Sequence, residues 1–227
     1  MNSACRLLLA LALLPAVAVA ADTVVVKRLV VNAGTAAEPA PVNSYLVCHL
    51  TSRGAVLIDP GADDGRFAAL ASELGVQVRL VLNTHGHFDH VGGNRACCER
   101  FAARLAVPAA DRPLYEKNGG AERVDIWLQD GQELDCAGFT VLVLATPGHT
   151  PGSSCFLING QLFSGDTLMA GGVGRVPEVK NEAKALKALA GVIRKKLLVL
   201  PDATPVWPGH GRPTTIGDEA LLNPFLN

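Results

Sequence analysis

Short apolar runs rich in Val, Leu and Ile recur along the chain, each bounded by Gly, Pro, Asn, Asp or Ser. They predict strands at Thr23–Val31, Ser44–His49, Ala55–Asp59, Val78–Asn83, Thr140–Ala145, Ser154–Ile158 and Gln161–Ser164. Helical spacing of apolar positions fits Asp64–Leu74, Gly93–Leu105 and Glu182–Leu197. Asn159-Gly160 between two apolar runs reads as a tight hairpin turn. Hairpins early and late with helices between them predict sheets sandwiched by helices. One arrangement recurs: an apolar strand ends and a residue able to bind a metal follows at once. Val81-Leu82 precedes His85, Leu142–Leu144 precedes His149, Leu162-Phe163 precedes Asp166, and Val206-Trp207 precedes His210. Strand ends that share one edge make a rigid platform, and the loops leaving them carry the chemistry.

The bulk numbers fit this picture and narrow it. At 227 residues the chain suits one domain, and 49% hydrophobic with only 5% aromatic residues points to a core of Val, Leu and Ala. The formal charge of −1 and the lack of a basic stripe remove any simple case for a nucleic-acid partner. Residues 1–20 read as a secretory signal: Arg6 gives the positive start, Leu7–Leu14 the apolar run, and Ala18-Val19-Ala20 the small-residue cleavage site. The run is short and Pro15 interrupts it, so no membrane anchor is expected. The expectation is a single mature domain over 21–227, exported to the periplasm or secreted, with its formal charge at −2 once Arg6 is removed. Such cleavage takes Cys5 and leaves Cys48, Cys97, Cys98, Cys136 and Cys155. None has zinc-ribbon spacing, and they read mostly as small buried apolar residues.

The chemistry concentrates in a few loops. Thr84-His85-Gly86-His87-Phe88-Asp89-His90 crowds four potential ligands into a short segment, and single candidates follow in Pro147-Gly148-His149, Gly165-Asp166-Thr167 and Gly209-His210-Gly211. A catalytic zinc takes three protein ligands and keeps a position open for water. His85, His87 and His149 make one such set, Asp89, His90 and His210 a second, and Asp166 on its tight turn is placed to bridge them. Nitrogen and oxygen donors without Cys suit zinc first, with iron or manganese also compatible. Asp59, ahead of Pro60-Gly61, reads as a turn residue that could orient a ligand imidazole. His49 lies in a strand away from these loops and reads as structural.

His85-x-His87-x-Asp89-His90 followed in order by His149, Asp166 and His210 resembles the metallo-β-lactamase superfamily. The resemblance spans the chain from about Val24 to its end and implies an α/β fold, the four-layer αβ/βα sandwich. Thr146-Pro147-Gly148-His149-Thr150-Pro151-Gly152-Ser153, Gly165-Asp166-Thr167-Leu168, Gly171–Arg175 and Asn223-Pro224-Phe225-Leu226 are similar to the short, single-domain glyoxalase II-like hydroxyacylglutathione hydrolases. The resemblance implies two metal ions, a hydroxide bridging them, and a small-molecule thioester or ester such as S-lactoylglutathione as substrate. In that scheme Asp89 is catalytic, orienting the hydroxide, and Arg175 on a glycine-rich loop contacts a substrate carboxylate.

The departures matter as well. The sequence is expected to lack the helical domain that holds glutathione in the two-domain enzymes, and Val176-Pro177-Glu178 stands where an Asp-Phe pair usually follows the Gly-Arg. Three rival readings therefore stay open: a class B β-lactamase-type hydrolase, a persulfide dioxygenase, and a metal- or thiol-binding periplasmic module without turnover.

Overall fold

A computed structural model describes residues 24–118, 120, 123–136, 138–176 and 180–227, so the expected signal at 1–20 and Pro177-Glu178 lie outside the described residues. The first half forms a sheet of β1 (Val24–Asn32), β2 (Pro41–His49), β3 (Gly54–Ile58), β4 (Gln77–Leu82), β5 (Arg104–Pro108) and β6 (Ile126–Leu128), in that spatial order. α1 (Arg66–Leu74), α2 (Phe88–Val91), α3 (Asn94–Phe101) and α4 (Arg112–Lys117) fill the connections between β3 and β6. The second sheet contains β7 (Glu133–Cys136), β8 (Phe139–Ala145), β9 (Ser154–Ile158), β10 (Gln161–Gly165), β13 (Pro205–Pro208) and β14 (Thr214–Thr215). A two-stranded ribbon of β11 (Leu168–Met169) and β12 (Gly172–Val173) leads to α5 (Glu182–Lys196), and α6 (Ile216–Leu222) follows β14.

Period-two alternation explains the layering. Val47, Val56, Ile58, Leu80 and Leu82 point inward and meet Val141, Val143, Phe156, Ile158 and Phe163 of the other sheet in one buried cluster. Their neighbours Leu46, Ala55, Leu57 and Val81 face the other way and pack with Phe67 of α1 and Cys97 of α3. Cys155, Leu162 and Val206 on the outer face of the second sheet pack with Leu189, Ala190 and Ile193 of α5 and Ile216 of α6. The result is helices, sheet, sheet, helices, as the resemblance implies.

The helix expected over Gly93–Leu105 is shorter than its pattern suggests. Ala102 takes a left-handed conformation (φ 50°) that ends α3, and the chain re-enters the sheet as β5, parallel to β4 with Leu80 opposite Arg104. The apolar run Leu105-Ala106-Val107 fits a buried strand as well as a helix, and only pairing with β4 decides between them. Asn159 and Gly160 both have positive φ (46° and 72°), as the hairpin turn requires. All five cysteines among the described residues are free, four of them buried.

Candidate metal centre

Strand direction brings the candidate residues to one edge. β3 and β4 run parallel and end together, with Ile58 opposite Leu82, so Asp59 and Asn83–His85 leave the first sheet side by side. β10 and β13 also run parallel, and β8 reaches the same edge through the antiparallel β9. His149, Asp166 and His210 follow these three strands. His87 precedes α2, whose first turn carries Asp89 and His90.

The side chains converge in two groups that share a carboxylate. His85 Nε2, His87 Nδ1 and His149 Nε2 form a triangle with edges of 3.0, 3.3 and 3.0 Å. Tetrahedral ligation at about 2.05 Å separates nitrogens by about 3.3 Å, so this triangle matches the face of a zinc site. His210 Nε2 lies 3.4 Å from both Asp89 Oδ2 and Asp166 Oδ2, and His90 Nε2 lies 3.8 Å from Asp89 Oδ2. Asp166 spans the groups: Oδ2 is 3.5 Å from His149 Nε2, while Oδ1 is 3.4 Å from His90 Nε2. His85-His87-His149 and Asp89-His90-His210 are therefore each placed to hold one cation, with Asp166 between them.

Four of the five imidazoles suit that role, because their other nitrogen is already engaged. His90 Nδ1 donates to Asp59 Oδ2 (3.0 Å), His149 Nδ1 to the Arg175 carbonyl (2.7 Å) and His210 Nδ1 to the Pro41 carbonyl (2.9 Å). His85 Nδ1 lies 3.1 Å from Thr84 Oγ1, which donates its own proton to Asp59 Oδ2 (2.6 Å). With Nδ1 so engaged, His85, His90, His149 and His210 each turn Nε2 to the cluster. His90 Nε2 and Asp166 Oδ1 are buried without hydrogen-bond partners, an arrangement that costs stability unless a cation satisfies them. Gly209 completes the cradle: a Cβ there would overlap Asp166 Oδ1 and come within 2.7 Å of His90 Cε1.

Electrostatics divide the site. Burial, reinforced by His90, pushes His85 well below its ordinary range, and burial and His149 lower His87. Burial opposes charge on His90 and Asp166, but Asp166 and Asp59 hold His90 well above its usual range, and His90 and His210 hold Asp166 well below its own. Hydrogen bonds to Asp166 and Asp89 raise His210 to about 10. Protons here sit where two carboxylates attract any cation, and a divalent ion would displace them.

Several supporting residues carry no recognisable sequence signal. Asp111 is fully buried and accepts from Gly86 N (2.9 Å), Thr150 Oγ1 (2.7 Å) and Gly152 N (2.6 Å). It ties the His85–His87 loop to the His149 loop. Ahead of Arg112-Pro113 it reads as an ordinary helix cap, yet its side chain makes no capping bond. Asn43 donates to the Pro208 and Gly211 carbonyls (2.9 Å each) and Tyr45 to the Pro208 carbonyl (2.6 Å), which fixes the His210 loop. Asp59 is both things the sequence suggested, a turn residue with φ 51° and the partner of His90. His49 is remote, with its ring edge-on to Phe139 and its Nδ1 accepting from Ser52 N. Arg175 is exposed and joins the cluster through its carbonyl.

The chain is similar to known proteins along most of its length. Residues 37–210 match the model of the metallo-beta-lactamase superfamily. The hydroxyacylglutathione hydrolase GloC of Haemophilus influenzae is 35% identical over 190 residues, covering 77% of this chain and 88% of that protein. The human mitochondrial persulfide dioxygenase ETHE1 is 32% identical over 190 residues, covering 81% of this chain and 70% of its own. The crystal structure of BLEG-1 B3 metallo-beta-lactamase superposes with a TM-score of 0.77 at 29% identity, over 89% of this chain and all of that one.

Proposed function

Because this chain belongs to the metallo-β-lactamase superfamily, we propose that it is a binuclear metal-dependent hydrolase acting on a thioester or ester, in the manner of glyoxalase II. The observation that carries the reading is Asp166, whose two oxygens face ligands of both groups. His85, His87 and His149 would hold one cation, Asp89, His90 and His210 the other, and Asp166 both. Two divalent ions there, with zinc the first choice for this donor set, supply Lewis acidity and lower the pKa of bound water towards neutrality.

The protein's own groups then divide the remaining work. Asp89, partly exposed and 3.4 Å from His210 Nε2, orients the attacking water by accepting its hydrogen bond. Asp59 and the Arg175 and Pro41 carbonyls keep three imidazoles in place, so attack starts from a fixed geometry. Arg175, exposed on the His149 side, meets a substrate carboxylate. The water oxygen bonds to the carbonyl carbon, the C–S bond breaks, and the thiol leaves with a proton. We place this activity outside the cytoplasm on the strength of residues 1–20.

The test is thiol release from S-lactoylglutathione by the zinc-loaded protein, with Asp166→Ala as control. Rapid release that the variant loses supports the reading; full turnover by the variant overturns the two-metal scheme. The likeness to persulfide dioxygenase ETHE1 favours a second reading, in which the iron-loaded protein consumes oxygen with glutathione persulfide. Oxygen uptake without thioester turnover would replace the first reading with the second. Turnover of a chromogenic β-lactam but not of thioesters would assign the third activity.

A further inference from the structure

A second recognition element lies beyond His210. A groove of about 440 Å³, lined by Arg28, Val30, Pro41, Asn43, His210 and Arg212 among others, opens against the outer side of that imidazole. His210 is the shared wall: Nε2 faces Asp89 and Asp166, while Nδ1 donates to the Pro41 carbonyl on the groove side. A molecule reacting at the cluster can therefore extend past His210 into the groove.

The groove is basic and has an apolar floor. Val30, 48% exposed, and the exposed Pro41 offer aliphatic surface, and no acidic residue lines it. Asn43 is committed to the Pro208 and Gly211 carbonyls, which leaves the two guanidiniums, each with one Nη1 on a backbone carbonyl, as the groups that still offer donors to a ligand. Arg28 is held in place by one bond, Nη1 donating to the Gly211 carbonyl at 3.0 Å. Both arginines are exposed, and neither pairs with a carboxylate among the described residues. Arg66, Arg95, Arg100 and Arg112, by contrast, each pair with Asp or Glu at 2.6–3.0 Å.

We infer that this groove binds the leaving half of the substrate and selects a thiol with a short aliphatic stem ending in a carboxylate. The stem lies on Val30 and Pro41, and Arg28 and Arg212 take the carboxylate by charge-assisted hydrogen bonds. The inference rests on the hydrolase reading for its substrate, but the binding it describes can be measured alone.

Two S-acetyl thioesters test it, one of 4-mercaptobutyrate and one of the corresponding carboxamide. The metal-loaded protein should show a kcat/KM about tenfold or more higher for the acid, carried by KM. Raising ionic strength should erode that ratio. Arg28→Gln/Arg212→Gln should bring the ratio near one. Arg212→Gln alone, which keeps the Arg28–Gly211 bond, should lower it partway. A general structural defect would depress both substrates and leave the ratio intact, which would overturn the proposal. So would equal use of the two substrates by the unaltered protein. Calorimetry with 4-(methylthio)butyrate and its amide gives a readout without turnover. Selective, arginine-dependent binding of the acid without hydrolysis of either thioester would uphold the groove and leave the hydrolase reading to the S-lactoylglutathione assay, and binding without selectivity would refute the groove.

Discussion

Asp59 Oδ2 lies 3.0 Å from His90 Nδ1 and also accepts the Thr84 hydroxyl at 2.6 Å, so one buried carboxylate orients imidazoles in both halves of the centre. The second connection runs through Thr84 Oγ1 to His85 Nδ1. Asp59→Ala should therefore lower affinity for both metal equivalents, by about 10- to 100-fold for the one held by His90. Metal titration against a competing chelator reads this directly. Asp59→Asn, which keeps an acceptor oxygen, should fall between the two. Unchanged affinity in Asp59→Ala would show that packing alone holds His90.

The shared carboxylate has a different signature. Asp166→Ala removes a group facing both halves, so the protein should bind fewer than two equivalents of zinc and lose thioester turnover. Its fold should persist, because the backbone bonds Gly209 N to Gly165 O and Thr167 N to Ser164 O do not depend on that side chain. Metal analysis and circular dichroism of the same sample check the two halves of this prediction.

Asp111 predicts a stability effect. Asp111→Ala leaves Gly86 N and Gly152 N without their buried acceptor, while the Thr150 hydroxyl keeps Ser153 Oγ at 2.7 Å. Each such group costs about 1–3 kcal/mol, and some of that is recovered as water enters, so unfolding free energy should fall by about 2–4 kcal/mol. Asp111→Asn should recover part of the loss. Denaturant titration of the metal-free protein measures it without interference from metal binding. A loss under 0.5 kcal/mol would exclude the predicted role.

Tyr45 links the two sheets and makes an alkaline prediction. Burial raises its phenol far above the ordinary value, with Arg28 and Asn43 opposing, while its hydroxyl donates to the Pro208 carbonyl and its ring packs edge-on to Phe163 and Trp207. A raised acid favours its protonated form in the folded state, so this contribution is complete below the unfolded pKa of about 10 and is lost as pH rises above it. Tyr45→Phe should cost about 1 kcal/mol near neutrality, since Asn43 still satisfies Pro208, and it should lose less stability than the parent between about pH 10 and 12. Parallel unfolding curves across that range for the two proteins would contradict the assignment.

Much of the centre is legible in the sequence because metal chemistry is local. His85, His87, Asp89 and His90 fall within one loop and the short helix that follows it, so residue type and spacing alone mark the site. His149, Asp166 and His210 stand after apolar strands, and strand ends at one sheet edge make their convergence expected. What the sequence could not determine depends on contacts distant in the chain. Leu105-Ala106-Val107 is compatible with a helix until β4 provides a hydrogen-bonding edge. Asp111 looks like a helix cap until Gly86 and Thr150 are brought to it. Arg28 and Arg212 are ordinary surface charges until β1 and the His210 loop place them on one groove. The sequence by itself determined which residues can bind metal and which faces must be buried, because residue chemistry and side-chain periodicity need no partner. Only the tertiary structure decided which nitrogen of each imidazole faces the centre, which carboxylates hold it there and where a substrate can extend, because those depend on positions tens of residues apart.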